Sequence, residues 1–146
     1  MKVLFDSHCH IYDERYNLPI EEGGLYSIDK LISEIKNSDI KYLVDIGTDI
    51  YSCRKVDEQT KLYDFCYGTV GYYPGDVHLI TDDIWTELFE LYQRNDKIVA
   101  IGEIGLDYHD PEEYPPKDIQ KYWFVKQLKK AVELNAPVCI HSRDAD

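Results

Sequence analysis

The amino-acid sequence predicts an α/β protein built on a parallel β-sheet. Short β-branched runs alternate five times with longer amphipathic runs, which is the pattern of successive βα units. The short runs begin roughly 25 to 40 residues apart, which leaves room for a crossover helix after each. Histidines and carboxylates follow several short runs, at the strand ends where active sites of parallel α/β proteins lie. No linker interrupts the pattern, so we expect residues 1–146 to form a single domain.

The five predicted strands are the runs richest in valine, isoleucine and aromatic residues. They are residues 3–5, 42–47, 65–70, 98–103 and 137–141. No helix follows the fifth run within the chain, so two architectures stay open from the residues alone. One is an open doubly wound sheet, and the other is a piece of an eight-stranded barrel.

Four helices are predicted between the strands. In the first, apolar residues recur at helical spacing after Ser27, which is placed to cap the helix. The second runs from residue 49 to 62 with weaker periodicity. Acidic residues Asp82 and Asp83 suit the start of the third. Pro115 and Pro116 introduce the fourth, which should end near residue 135.

Composition limits the classes of function. Hydrophobic residues make up 44% and charged residues 30% of the chain, a globular balance. No apolar run approaches the ~20 residues of a membrane span, and no secretory signal is evident, so we expect a cytoplasmic protein without a membrane partner. A formal charge of −12 argues against binding nucleic acid by a basic face alone. It does not exclude a phosphate-bearing substrate, because bound cations reverse the local field.

The four cysteines show neither C-x-x-C pairing nor zinc-finger spacing. In a cytoplasmic chain they should stay reduced. Cys9 and Cys139 lie on strand-like runs, where we expect small buried thiols rather than catalytic or disulfide-bonded ones.

Four side chains at strand ends form a candidate metal site. His8 and His10 follow the first strand, Glu103 ends the fourth and His141 ends the fifth. Residues two apart on a strand point to the same side, so both rings of the H-x-H pair can reach one cation. Such a ligand set suits Zn²⁺, Mn²⁺ or Fe²⁺. Each residue also has an ordinary structural interpretation. His8 and His10 could be an incidental pair, Glu103 could form a salt bridge, and His141 could be a structural histidine.

Residues beside this set are candidate supporting groups. Asp6 is available to orient one ring of the H-x-H pair. Asp107 is placed to support a ligand or contact substrate. Arg143 could pair bidentately with a phosphate, or form a local ion pair with Asp144. His109 is a weaker candidate that could be an ordinary surface residue.

Three motifs give the chain a family resemblance. Residues 6–10 read DSHCH, residues 102–108 read GEIGLDY and residues 137–145 read PVCIHSRDA. In this order and spacing they resemble the TatD-like DNases of the amidohydrolase superfamily. The resemblance covers essentially the whole chain. Each motif is common by itself, whereas the three together are specific.

The resemblance implies a (β/α)₈ barrel of TIM type, of which the chain supplies about the first five βα units. It implies one or two divalent metal ions, Mg²⁺, Mn²⁺ or Zn²⁺. His8 and His10 would hold the first, Glu103 would bridge, and His141 would hold the second. The implied activity is hydrolysis of phosphodiester bonds in DNA, and we expect Glu103, Arg143 and Asp107 to be the catalytic residues.

Two departures limit the resemblance. Tyr73 stands where the family usually has the histidine of a Gly-x-His-Pro run. The family's last two metal ligands, a histidine and an aspartate, would lie beyond residue 146, so weak or absent turnover is expected of the isolated chain. Two alternatives stay open. One is a hydrolase of the same superfamily acting on a lactone, an amide or a phosphotriester. The other is a non-catalytic, metal-binding partial barrel that self-associates through exposed sheet edges.

Overall fold

The computed structural model describes residues 3–145. Five parallel strands form one sheet in the order β1-β2-β3-β4-β5, curved as a half-barrel. The predicted parallel α/β architecture is therefore confirmed. The strands are β1 (Leu4–Cys9), β2 (Ile40–Ile46), β3 (Cys66–Val70), β4 (Ile98–Asp107) and β5 (Val138–Arg143).

Four α-helices connect the strands as predicted. They are α1 (Ile28–Lys36), α2 (Ile50–Leu62), α3 (Asp82–Arg94) and α4 (Lys117–Glu133). Three short 3₁₀ helices, which periodicity did not predict, lie in the connections at Glu14–Asn17, Ile20–Glu22 and Val77–Leu79. Such single turns are too short to produce an apolar stripe in the sequence.

Helix caps explain where the first three helices begin. Ser27 accepts a hydrogen bond from the Lys30 amide, as predicted. Asp49 and Ser52 form a reciprocal capping box at the start of α2. Thr81, which was not predicted to be a cap, caps α3 just before Asp82 and Asp83.

Strand β4 is longer than predicted. The sequence placed its end at Glu103, but it continues to Asp107 because β5 pairs with this extension. Gly105 lies opposite His141, and Asp107 lies opposite Arg143. Consequently Glu103 lies within β4 rather than at its end.

Two apolar clusters fix the helices against the sheet. The larger packs α2, α3 and α4 onto β3 and β4 and includes Val56, Leu88 and Ile101, each fully buried. The smaller packs α1 onto β2 through Ile32 and Leu43. Burying one such side chain stabilises the fold by about 1.5–3 kcal/mol.

The outer strands β1 and β5 each pair on one side only. Apolar side chains are exposed on both, including Phe5 (59%) and Ile140 (55%). These are the exposed edges that the sequence reading expected, and self-association through them stays a prediction. Within residues 3–145, none of the helices combines the length and apolarity that a bilayer crossing requires.

All four cysteines are free thiols. Cys53 and Cys66 are buried, whereas Cys9 and Cys139 are only partly buried. These two thiols were expected to be buried, and the structure leaves both only partly buried. Both lie on edge strands, where a side chain lacks neighbours on one side.

Candidate metal centre

The carboxyl end of β1 and the middle of β4 bring three potential ligands together. His8, His10 and Glu103 each offer a ligand atom, and these atoms lie within 4.8 Å of one another. Nε2 of His8 lies 3.7 Å from Oε2 of Glu103. The two imidazole rings are arranged edge to face, with centroids 5.2 Å apart. A strand and the residue just after it thus present both rings to one point.

The Nδ1 atom of His10 contacts two other groups of the protein. Nδ1 lies 3.0 Å from the carbonyl oxygen of Ile46, to which it can donate, and 3.1 Å from the hydroxyl of Tyr12. That hydroxyl in turn lies 3.2 Å from Oγ1 of Thr48. A proton held on Nδ1 leaves the lone pair on Nε2, which is the atom a metal ion can use.

The His8 ring is held by a different group from the one expected. Its Nδ1 atom lies 3.8 Å from Sγ of Cys139 across the sheet. Asp6 was expected to orient a ring, but its Oδ1 atom accepts a hydrogen bond from the backbone amide of His8 at 3.2 Å. Asp6 thus contacts the backbone two residues further along its own strand, and orientation of a ring by Asp6 stays a prediction.

Glu103 and His141 meet directly where β4 and β5 pair. Oε1 of Glu103 lies 2.9 Å from Nδ1 of His141, and Glu103 is only 8% exposed. The glycines on either side of Glu103 permit this approach. A Cβ atom at Gly105 would lie 1.9 Å from the backbone oxygen of His141, and one at Gly102 would lie 2.5 Å from Cβ of Cys139. Side chains at either position would hold the two strands apart.

The Asp107 carboxylate is fully buried and contacts the other side of the His141 ring. Its Oδ2 atom accepts from Nε2 of His141 at 2.9 Å, and its Oδ1 atom accepts from the backbone amide of His109 at 3.1 Å. The hydroxyl of Tyr73 also donates to Oδ2. Burial by itself raises the pKa of Asp107, but the hydrogen bonds outweigh it and leave the pKa below its usual value.

Tyr73 occupies the place of the expected histidine, and its ring packs edge to face on His141 with centroids 4.8 Å apart. Burial and the hydrogen bond to Asp107 raise the pKa of Tyr73 well above its usual value. The phenol therefore stays protonated and acts as a donor near neutral pH.

Arg143 lies at the rim and is only loosely engaged. Its guanidinium nitrogens lie 3.8 Å from Asp107 and 3.9 Å from Asp110, beyond hydrogen-bond distance, and its side chain is 43% exposed. The ion pair with Asp144 that the sequence left open does not form. Asp144 instead lies 2.7 Å from Nδ1 of His109. Arg143 thus remains available to an anion at the site.

Two buried glutamines on α4 were missed by the sequence reading. Gln120 exchanges hydrogen bonds with the backbone of Asp107, at 2.9 and 2.8 Å. Gln127 does the same for the backbone of Tyr72, at 2.9 and 3.1 Å. Their spacing of seven places both on the inner face of the helix, but nothing else in the sequence distinguishes them from surface glutamines.

These side chains border an open cleft of about 390 Å³ at the carboxyl ends of the strands. Its lining consists of His8, His10, Thr48, Tyr73, Glu103 and His141. Imidazole nitrogens and a carboxylate are the donors that Zn²⁺ and Mn²⁺ accept, and the carboxylate also suits Mg²⁺. The residues therefore fit a divalent metal ion.

Comparison with known proteins matches residues 5–146 to the family described as TatD related DNase. The chain is 37% identical over 143 residues to the uncharacterized metal-dependent hydrolase YabD of Bacillus subtilis, covering 98% of the chain and 52% of that protein. It is 30% identical over 164 residues to the deoxyribonuclease Tat-D of Schizosaccharomyces pombe, covering 100% of the chain and 52% of that protein.

A solved structure shares the fold. The crystal structure of a TatD family hydrolase from Entamoeba histolytica superposes with a TM-score of 0.83 at 21% identity, covering 99% of the chain and 51% of that protein. The chain thus spans about half the length of the relatives it matches. Sequence and fold agree, and the chain belongs to the TatD-related DNase family of metal-dependent hydrolases.

Proposed function

We propose that the chain carries a metal-binding site of a hydrolase that cleaves phosphodiester bonds in DNA. The observation that carries the proposal is the convergence of His8, His10 and Glu103, whose ligand atoms lie within 4.8 Å of one another. The relative from Schizosaccharomyces pombe is named a deoxyribonuclease, which supports DNA as the substrate.

One or two divalent cations, Mg²⁺, Mn²⁺ or Zn²⁺, would complete this site. His8, His10 and Glu103 would hold the first, and Glu103 with His141 would hold a second. When bound, such cations polarise the phosphoryl group and lower the pKa of bound water. The near-complete burial of Glu103 supports this role, because a buried carboxylate is costly unless a cation or hydrogen-bond donors compensate its charge.

The chain's own residues bind and orient the substrate phosphate. Arg143 is exposed at the rim and makes only long ion pairs of 3.8 Å to Asp107 and 3.9 Å to Asp110 among the described residues, so its planar guanidinium can pair with two phosphate oxygens. Asp107 holds the His141 ring and helps to retain Arg143 nearby. With a formal charge of −12, the protein attracts DNA through its cations and Arg143 rather than through a broad basic surface.

The test combines metal binding with a cleavage assay. Calorimetric titration with Mn²⁺ should show binding, and an end-labelled single-stranded oligonucleotide should be cut only when the metal is present. Cleavage of the oligonucleotide without added metal, or no cleavage when metal is bound, would contradict the proposal.

The same assays separate the alternatives. Metal-dependent hydrolysis of a lactone, an amide or a phosphotriester in preference to DNA would favour another hydrolase of the superfamily. Absence of metal binding would contradict the proposed function. Metal binding with self-association, and no hydrolysis of any of these substrates, would favour the non-catalytic partial barrel.

A further inference from the structure

Tyr73 brings the segment after β3, which supplies none of the proposed metal ligands, into contact with the site. It follows β3, whereas its partners Asp107 and His141 belong to β4 and β5. Its hydroxyl donates to Oδ2 of Asp107, and its ring packs on the ring of His141 with centroids 4.8 Å apart. One side chain thus contacts both members of the Asp107–His141 pair.

We propose that Tyr73 is a positioning residue for His141. Its hydroxyl fixes the Asp107 carboxylate, which holds the proton on Nε2 of His141 and so directs Nδ1 toward Glu103. The inference rests on the proposed metal-dependent function, because its purpose is to present Nδ1 to a cation shared with Glu103.

The contacts of Asp107 support this directional role. Oδ2 accepts from both Tyr73 and His141, and the backbone amide of His109 occupies Oδ1, so the carboxylate has no free rotation. Nε2 of His141 faces this carboxylate at 2.9 Å, and Nδ1 faces Glu103 at 2.9 Å. Metal-ligating histidines generally donate their second ring N–H to such a carboxylate, which fixes the ring and raises its basicity.

Helix α4 fixes the backbone of Asp107 and the backbone of the residue before Tyr73. Gln120 is hydrogen-bonded to both the amide and the carbonyl of Asp107. Gln127 is hydrogen-bonded to both backbone groups of Tyr72, the residue before Tyr73. The distance between Tyr73 and Asp107 is therefore set by one rigid element, and loss of the hydroxyl cannot be offset by a backbone shift.

The variant that tests this role is Tyr73→Phe, which keeps the ring on His141 and removes only the hydroxyl. The matched control is Tyr72→Phe. It removes the hydroxyl of the neighbouring tyrosine, which is 2% exposed and packs in the core rather than at the site. Circular dichroism checks that both variants fold.

The first readout is nuclear magnetic resonance of chains labelled with ¹⁵N-histidine, without metal. The wild type and Tyr72→Phe should show a protected Nε2–H proton for His141, and Tyr73→Phe should lose that signal to rapid exchange. The same signal in Tyr73→Phe would overturn the proposal. An unprotonated Nε2 in the wild type would also overturn it, even if the variant failed to fold.

The second readout is Mn²⁺ affinity by calorimetry. Tyr73→Phe should weaken binding at the His141 position by about tenfold or more, with Tyr72→Phe unchanged. Equal affinities in the wild type and Tyr73→Phe would overturn the proposal. A wild type that binds no metal would contradict the proposed function instead, and the exchange of the Nε2–H proton would then decide the role of Tyr73.

Discussion

Nδ1 of His141 lies 2.9 Å from Oε1 of Glu103, although 38 residues separate them along the chain. The contact depends on the pairing of β4 with β5 and on Gly105, where a Cβ atom would lie 1.9 Å from the backbone oxygen of His141. A glycine that permits close strand packing thus lets a buried carboxylate meet a histidine from the next strand.

Replacing Glu103 tests whether this carboxylate holds the cation. Glu103→Gln keeps the shape of the side chain but removes its charge, so Mn²⁺ affinity measured by calorimetry should fall at least about tenfold. Glu90→Gln, at an exposed position on α3, should bind Mn²⁺ like the wild type. Unchanged affinity in Glu103→Gln would show that the metal binds elsewhere.

The α4 glutamines should contribute strongly to stability. Gln127→Leu fills a similar volume but leaves the buried amide and carbonyl of Tyr72 without partners. The free energy of unfolding should therefore fall by about 2–4 kcal/mol in urea denaturation. Gln93→Leu, on the exposed surface of α3, should stay within about 0.5 kcal/mol of the wild type. Equal effects of the two variants would show that the hydrogen bonds of Gln127 to the Tyr72 backbone do not stabilise the fold.

Asp45 should make stability depend on pH. Its carboxyl is fully buried on β2, and although the Ile11 amide donates to Oδ1 at 2.9 Å, Oδ2 has no hydrogen-bond partner among the described residues. Burial raises the pKa of Asp45 to about 7. The folded chain thus binds a proton on the Asp45 carboxyl more tightly than the unfolded chain does. The contribution of this proton to the free energy of unfolding is complete below about pH 4 and is lost as pH rises through 7.

The variant Asp45→Asn removes this titration and keeps an acceptor for the Ile11 amide. Relative to the wild type, its free energy of unfolding should rise between pH 4 and pH 8 by on the order of 3 kcal/mol. Asp64→Asn, at an exposed position, should leave the pH dependence unchanged. A pH profile of Asp45→Asn parallel to that of the wild type would exclude a raised pKa at Asp45.

The exposed strand edges should drive self-association of residues 1–146. The double variant Phe5→Lys with Ile140→Lys places a charge on each edge, so it should sediment as a monomer where the wild type forms larger species. Leu62→Lys changes an apolar residue that is 71% exposed on α2 and should associate like the wild type. Monomeric wild type at every concentration would show that these edges do not associate.

The amino-acid sequence by itself determined the elements and the positions of the candidate ligands. Helical periodicity and Ser27 as a cap identified α1 correctly, and β-branched runs located all five strands. The placement of His8 and His141 near strand ends followed from the same pattern, whereas Glu103 lies in the middle of β4. These features are predictable because they depend on neighbours within a few residues along the chain.

Only the tertiary structure decided which atoms meet. The sequence did not indicate that Cys139 lies beside His8, that Tyr73 donates to Asp107, or that Gln127 holds the backbone before Tyr73. The physical reason is that these pairs are 34 to 131 residues apart. Their contacts depend on strand register, on the curvature of the sheet and on the packing of α4, and none of these is encoded by a local pattern of residues.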